Sequence, residues 1–168
     1  MKKILIKNGT LVTPDKIYQA DILISNQKIE KISEQIDSNE TEIIDAKGKY
    51  IFPGFIDTHT HMGIPIRGTK SADDFESGSI AALHGGVTTI IDFTVQEKSE
   101  SLMDSLKKRK AQADGKTSVD YALHCNVTDF DDSRAAEIPA IIQEGVISFK
   151  AFTAYREAGM QLDDRQIL

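Results

Sequence analysis

Two histidines one residue apart, His59 and His61, close an apolar run in the stretch FPGFIDTHTH at residues 52–61. Ile51, Phe52, Phe55 and Ile56 read as a buried strand, with Pro53-Gly54 as a kink near its entry. Side chains on a strand alternate between faces, so Asp57, His59 and His61 share one face and Thr58 and Thr60 take the other. Two imidazoles on one face of a rigid support suit a single divalent metal. The bland alternative, histidines that end a strand in solvent, suits a lone residue better than this pair. A second chemical feature is Ser148-Phe149-Lys150-Ala151-Phe152, which puts a lysine inside an otherwise apolar strand. Lysine is rarely buried without a partner. Three readings stay open: a side chain that snorkels out of the strand end, a buried ion pair, or a reactive amine. In the third, an amine kept neutral by burial adds to carbon dioxide, and the resulting carbamate bridges two cations.

Charge and composition narrow the function classes. Residues 1–50 are balanced, eight Lys/Arg against eight Asp/Glu, so the whole net charge of −6 falls on residues 51–168. A nucleic-acid surface needs a basic face, and this balance argues against one. The only basic run, Lys107-Lys108-Arg109-Lys110, falls in a helical pattern and reads as its solvated side. Cys125 is the single cysteine, which excludes an internal disulfide and fits a reducing compartment. Met1-Lys2-Lys3 begins as a signal peptide does, but Ile4-Leu5-Ile6 is too short for its apolar core. No later stretch is long enough to span a bilayer. The expectation is a cytoplasmic protein with neither nucleic acid nor membrane among its partners.

The elements that must position these residues fall into two rhythms. Over residues 1–50, Lys3–Lys7 meets Asn8-Gly9, the strongest short hairpin signal, and Thr10–Thr13 returns. Ala20–Ser25, Asn26-Gln27 and Lys28–Ile32 form a second hairpin pattern, and Glu42–Asp45 is a further short strand. The prediction there is a small antiparallel sheet without catalytic residues. From residue 51 strands and helices alternate. Ser71-Ala72-Asp73-Asp74 has capping-box spacing before a helix over Phe75–Leu83 that stops at Gly85-Gly86. Val87–Phe93 is a β-branched run of the kind buried on both faces. Ser99 opens a second helix, with Leu102 and Leu106 one turn apart. Val119–Val127 is a third strand, a short helix starts near Pro139, and Val146–Tyr155 is a fourth strand. Asp163-Asp164 starts a fourth helix. Four βα units are half of a (β/α)8 barrel. The fold class expected is α/β, the N-terminal part of such a barrel preceded by a small β-sandwich portion. Half a barrel leaves two open parallel edges, so the chain reads as part of a longer polypeptide. A complete four-stranded α/β domain is the alternative.

Three motifs carry a family resemblance: PGFIDTHTH at 53–61, ADDFESGSIAALHGGVTTIIDF at 72–93 and SFKAFTAY at 148–155. In this order and spacing they resemble the cyclic-amidohydrolase branch of the amidohydrolase superfamily, above all dihydropyrimidinases and hydantoinases, over essentially all of the chain. The resemblance implies two domains. Residues 1–50 would be part of a β-sandwich domain, and residues 51–168 the first half of a metal-dependent barrel. It implies two divalent metal ions, usually zinc, with His59 and His61 on the more buried one and Lys150 carboxylated to bridge the pair. It implies a catalytic role for Tyr155, which hydrogen-bonds the substrate as its carbonyl becomes tetrahedral. The family's other histidine ligands lie on its fifth and sixth strands and its acid/base aspartate on the eighth, and this chain has none of them. His84 and His124 read as structural, and Asp57 as a support for the ligands.

The reaction so implied is ring opening of a dihydropyrimidine or hydantoin to an N-carbamoyl amino acid, with water made acidic by the cations and the oxyanion stabilised where charge develops. Relatives that act on dihydroorotate or allantoin usually place Arg or Asn two residues beyond the second histidine. Here Met62-Gly63-Ile64-Pro65-Ile66 is apolar, which suits an uncharged ring, and the resemblance implies that Met62, Ile64, Phe152 and Tyr155 line its pocket. The partners implied are a small cyclic amide or ureide and other copies of the full-length chain, commonly as a tetramer. The 168 residues alone are expected to be catalytically silent. Alternatives are an allantoinase, a dihydroorotase, or a non-catalytic homologue acting in assembly or signalling. Such homologues typically lose the metal ligands, whereas His59, His61 and Lys150 are all present.

Overall fold

The computed structural model of the chain describes residues 3–37, 42–66 and 68–167. The Met1-Lys2 start read above lies outside the described residues. Contacts divide the chain into two units, Met1–Pro53 and Gly54–Leu168.

In the first unit, β1 (Lys3–Val12), β2 (Ile17–Ser25), β3 (Lys28–Ser33), β4 (Glu42–Asp45) and β5 (Tyr50–Ile51) make one five-stranded sheet. Its order is β3-β2-β1-β4, with β5 also on β1. β1, β2 and β3 pair antiparallel, but β4 and β5 run parallel to β1, so the sheet is mixed and not antiparallel as expected. Asn8-Gly9 is not a hairpin either. β1 runs through it, with a register shift against β2 between Ile6 and Gly9. Asn8 takes a left-handed φ of 62°, and its freed N–H donates to the buried Asp21 carboxylate at 2.9 Å. Its side-chain amide donates to Asp45 at 2.9 Å. A Cβ at Gly9 would stand 2.2 Å from Ile51 Cδ1, so a larger residue there would have to displace the Ile51 side chain. Asn-Gly favours left-handed backbone in a turn or a bulge alike, and these partners select the bulge. Asn26-Gln27, with φ of 51° and 63°, is the true hairpin turn between β2 and β3.

The second unit holds the strands β6 (Phe55–Asp57), β7 (Pro65–Ile66), β8 (Thr69–Lys70), β9 (Val87–Phe93), β10 (Asp120–Val127) and β11 (Phe149–Ala151). Its helices are α1 (Phe75–His84), α2 (Leu102–Ala113), α3 (Asp132–Ala135), α4 (Ile138–Gln143) and α5 (Asp164–Ile167). The main sheet is fully parallel in the order β11-β10-β9-β6, while β7 and β8 form a small hairpin after His61. Leu102 and Leu106 of α2 and Ile141 of α4 pack with Leu123, Cys125 and Val127 of β10 into one core. Each fully buried leucine there contributes about 1.5–3 kcal/mol. Since odd-numbered residues of β10 face that core, His124 and Asn126 face the opposite side of the sheet. No helix among the described residues is long and apolar enough to cross a membrane.

Several expectations shift. Phe52, Phe55 and Ile56 are 49%, 50% and 60% exposed and not buried: the strand expected over them is split, Ile51 ending β5 and Phe55 opening β6, and among the described residues β6 pairs with β9 alone at the edge of its sheet. Only the second half of β9, from Ile90 on, is largely buried. The first helix is capped by Asp74, which accepts from Glu76 N and Ser77 N, and not by Ser71. Ser101 caps α2, two residues later than read. The helix expected near Pro139 is α4, with Pro139 in its first turn, while the short α3 before it was not expected, and the fourth strand shrinks from Val146–Tyr155 to three residues. At the root of β6, a Cβ on Gly54 would meet Thr88 Oγ1 at 2.1 Å and its Cβ at 2.8 Å. A β-branched neighbour cannot swing away. Gly54→Ala in the full-length polypeptide is therefore expected to cost about 1–3 kcal/mol of unfolding free energy through overpacking. Urea denaturation checks it, and an unchanged midpoint would mean that β6 accommodates the methyl group.

Candidate metal centre

β6 ends at Asp57, and the chain leaves the sheet in a loop that turns its residues alternately. Asp57 Oδ1 accepts from His59 N at 3.1 Å. Thr60 is buried, with its N–H on Ile91 O at 3.1 Å and its hydroxyl on Asp92 Oδ2 at 3.0 Å. His59 and His61 turn to each other, with their Nε2 atoms 3.2 Å apart and their rings edge to face. Two nitrogens each about 2.0–2.1 Å from one tetrahedral cation lie roughly 3.3 Å apart, so the pair fits a shared zinc-like ion. Burial first, then the nearby Lys150 and His59, hold the His61 pKa below its ordinary value. Neutral imidazole is the form that ligates. His61 Nδ1 is buried and has no hydrogen-bond partner among the described residues.

One aromatic ring gathers the site. Phe93, at the end of β9, lies 4.6 Å from the His59 ring, 4.9 Å from His61 and 4.8 Å from His124. Lys150, on β11, sets its Nζ 4.3 Å over the same ring and 5.0 Å from the ring of Phe152. The half-buried lysine thus faces aromatic rings, and among the described residues its amine has no ion-pair partner. Asn126 is its neighbour in register on β10, and the Asn126 Oδ1 is buried without a partner among the described residues. Tyr155 stacks edge-on to Phe152 at 6.1 Å. Its backbone is left-handed, φ 67° and ψ 41°, an unusual state for a bulky residue and one that clusters at functional loops.

The structure therefore gathers His59, His61 and Lys150 around Phe93, with Phe152 next to Lys150 and Tyr155 beyond Phe152. Ile64 is held in the following loop by Ser71, which binds both its N–H and its carbonyl. Met62 goes elsewhere: it packs with Phe75, Ile90 and Ala113, its sulfur 2.3 Å from where a Cβ on Gly78 would stand. His124 has both ring nitrogens engaged, with Ser148 Oγ and with Thr58 O at 3.2 Å. His84 ends α1. Among the described residues no group of three or more His, Cys, Asp or Glu side chains is arranged to hold a metal. Sequence reasoning passed over Phe93 and Asp92, and it placed Arg109 on the solvated side of α2, where the structure buries it. The signal for Arg109 was its place on the Leu102-Leu106-Arg109-Ala113 stripe, which is the buried side of α2.

The sequence pattern of a known family runs through these elements, since a profile of the amidohydrolase family matches residues 50–157. The chain belongs to the amidohydrolase family. This amidohydrolase is 47% identical over 161 residues to the D-hydantoinase of Geobacillus stearothermophilus, covering 95% of the chain and 34% of that protein. It is 42% identical over 162 residues to the dihydropyrimidinase of Dictyostelium discoideum, covering 95% of the chain and 32% of that protein. The crystal structure of dihydropyrimidinase from Brevibacillus agri superposes with a TM-score of 0.93 at 39% identity, over 98% of this chain and 36% of the other. The chain thus spans about a third of the length of these relatives.

Proposed function

We propose that a polypeptide carrying this chain opens cyclic amides, dihydropyrimidines or hydantoins, to N-carbamoyl amino acids with two divalent ions, zinc by preference. The observation that carries the reading is the 3.2 Å Nε2···Nε2 bite of His59 and His61, with Lys150 on the same Phe93 ring. His59 and His61 would hold one ion, and Lys150, once its amine has added to carbon dioxide and lost a proton, would offer a carboxylate to both. Bound there, the ions would supply Lewis-acid polarisation of the carbonyl and an acidified water. Tyr155, exposed beside Phe152, supplies a phenol to hydrogen-bond the developing oxyanion. Ile64 and Phe152 wall the ring, while the packing of Met62 beneath α1 leaves it a supporting part.

In this reading the parallel sheet with its four strands is the N-terminal half of a (β/α)8 barrel spanning residues 51–168. The sheet of residues 1–50 is one part of a flanking β-sandwich. The full-length polypeptide would act in the cytoplasm as a tetramer. The test is an assay of dihydrouracil and hydantoin opening by the full-length polypeptide after metal removal and after zinc is added back. Turnover that vanishes with the metal and returns with zinc is expected. A zinc-loaded protein that opens neither ring would reject the reading.

A further inference from the structure

The basic run expected on the solvated side of α2 contains a buried arginine. Arg109 is 3% exposed, and its Nε and Nη2 donate to Asp92 Oδ1 at 3.1 and 2.5 Å. Asp92 is fully buried and accepts three more bonds: from Phe93 N at 2.7 Å, Thr60 Oγ1 at 3.0 Å and Met62 N at 2.8 Å. Arg109 Nη2 also donates to Met62 O at 2.7 Å, and Nη1 to Gln112 Oε1 at 2.6 Å. The Phe75 ring covers the guanidinium at 4.5 Å. Thr60 and Met62 flank His61, so this one pair grips the chain on both sides of the second imidazole and ties it to α2. Through Phe93 N it also grips the residue whose ring both imidazoles contact.

We propose that Asp92 and Arg109 are positioning residues that fix the His59–His61 pair against α2 and set the separation at which the two imidazoles take a cation. The purpose of this device rests on the metal reading above, but its geometry does not. A buried ion pair can serve folding alone, and two physical facts separate the roles. Apolar residues of similar volume often replace such a pair without loss of stability, yet they cannot tether Thr60 and Met62. Lysine keeps the charge of arginine but lacks the fork that reaches Asp92 and the Met62 carbonyl together.

The experiment compares three full-length polypeptides: the parent, Arg109→Lys, and the double variant Asp92→Leu with Arg109→Met. Each is measured by zinc titration, by the visible spectrum of its cobalt(II) form, and by a crystal structure without metal. The expected result is zinc binding weakened about 10–100-fold, the usual effect of losing a group that orients a ligand. An altered cobalt spectrum and an Nε2···Nε2 separation moved from 3.2 Å should accompany it, and the double variant should also lose some stability because Thr60, Met62 and Phe93 lose their acceptor. A folded Arg109→Lys protein with parental zinc affinity, cobalt spectrum and ring separation would overturn the proposal. If the double variant does not fold, Arg109→Lys decides alone. If the parent binds no zinc, the metal reading fails, and the ring separation in Arg109→Lys still decides this one.

Discussion

His61→Ala in the full-length polypeptide is expected to lower bound zinc from about two ions per chain to about one or fewer, and ring opening by more than about a hundredfold. The size follows from what the side chain does. Loss of a group that merely orients a ligand costs 10–100-fold, and His61 is read as a ligand, so its loss sets a larger effect. Nor can a neighbour replace it. His124 has both ring nitrogens committed, and the described residues hold no third cluster member. Unfolding cannot mimic the result, because the loop is anchored through Thr60 and Met62 while His61 Nδ1 has no hydrogen-bond partner among the described residues. The variant should therefore keep its melting midpoint. Elemental analysis checks the metal, and parental zinc content in a folded His61→Ala protein would remove the assignment of the first ligand pair.

Much of this site could be read from the chain because it is local. His59 and His61 sit two residues apart, and an alternating backbone brings their rings together, although β6 ends at Asp57 and they lie in the loop after it and not on the strand expected. Lys150 stood out because a lysine between Phe149 and Ala151 breaks an apolar run. What sequence could not give is what depends on distant partners. Asn8-Gly9 carries a left-handed residue in both a hairpin and a bulge, and only Asp21, thirteen positions on, selects the bulge. Arg109 sits in a run of four basic residues, and composition assigned all four to water. Its helical position agrees with Leu102 and Leu106 instead, and the carboxylate that makes its burial tolerable lies seventeen residues back on β9. The exposure of Phe55 and Ile56 is also non-local, since an apolar strand is buried only by what pairs with and covers it.

Lys150→Ala carries the second large expectation: loss of metal and of nearly all activity, with part of both restored by short carboxylic acids. Lys150 Nζ lies over Phe93, the ring that both imidazoles touch, so a carboxylate built on that nitrogen would project among them. Truncation to alanine removes the carboxylate and opens a space bounded by Phe93 and Phe152. Acetate or propionate can enter that space and offer the same two oxygens to the cations without a covalent tether. Rescue should therefore saturate with acid concentration and stay incomplete, because the free acid pays the positioning cost that the strand removes. The same acids should do nothing for His61→Ala, which lacks a nitrogen donor and not a carboxylate. That contrast separates a bridge from a lysine that acts only as a cation near the site. An Arg at position 150 restores charge but cannot form the carbamate, so Lys150→Arg should be as inactive as alanine without added acid. Zinc content and turnover of the three variants, with and without propionate, check the argument. A Lys150→Ala protein with parental activity, or acid rescue equal in His61→Ala, would rule the bridge out.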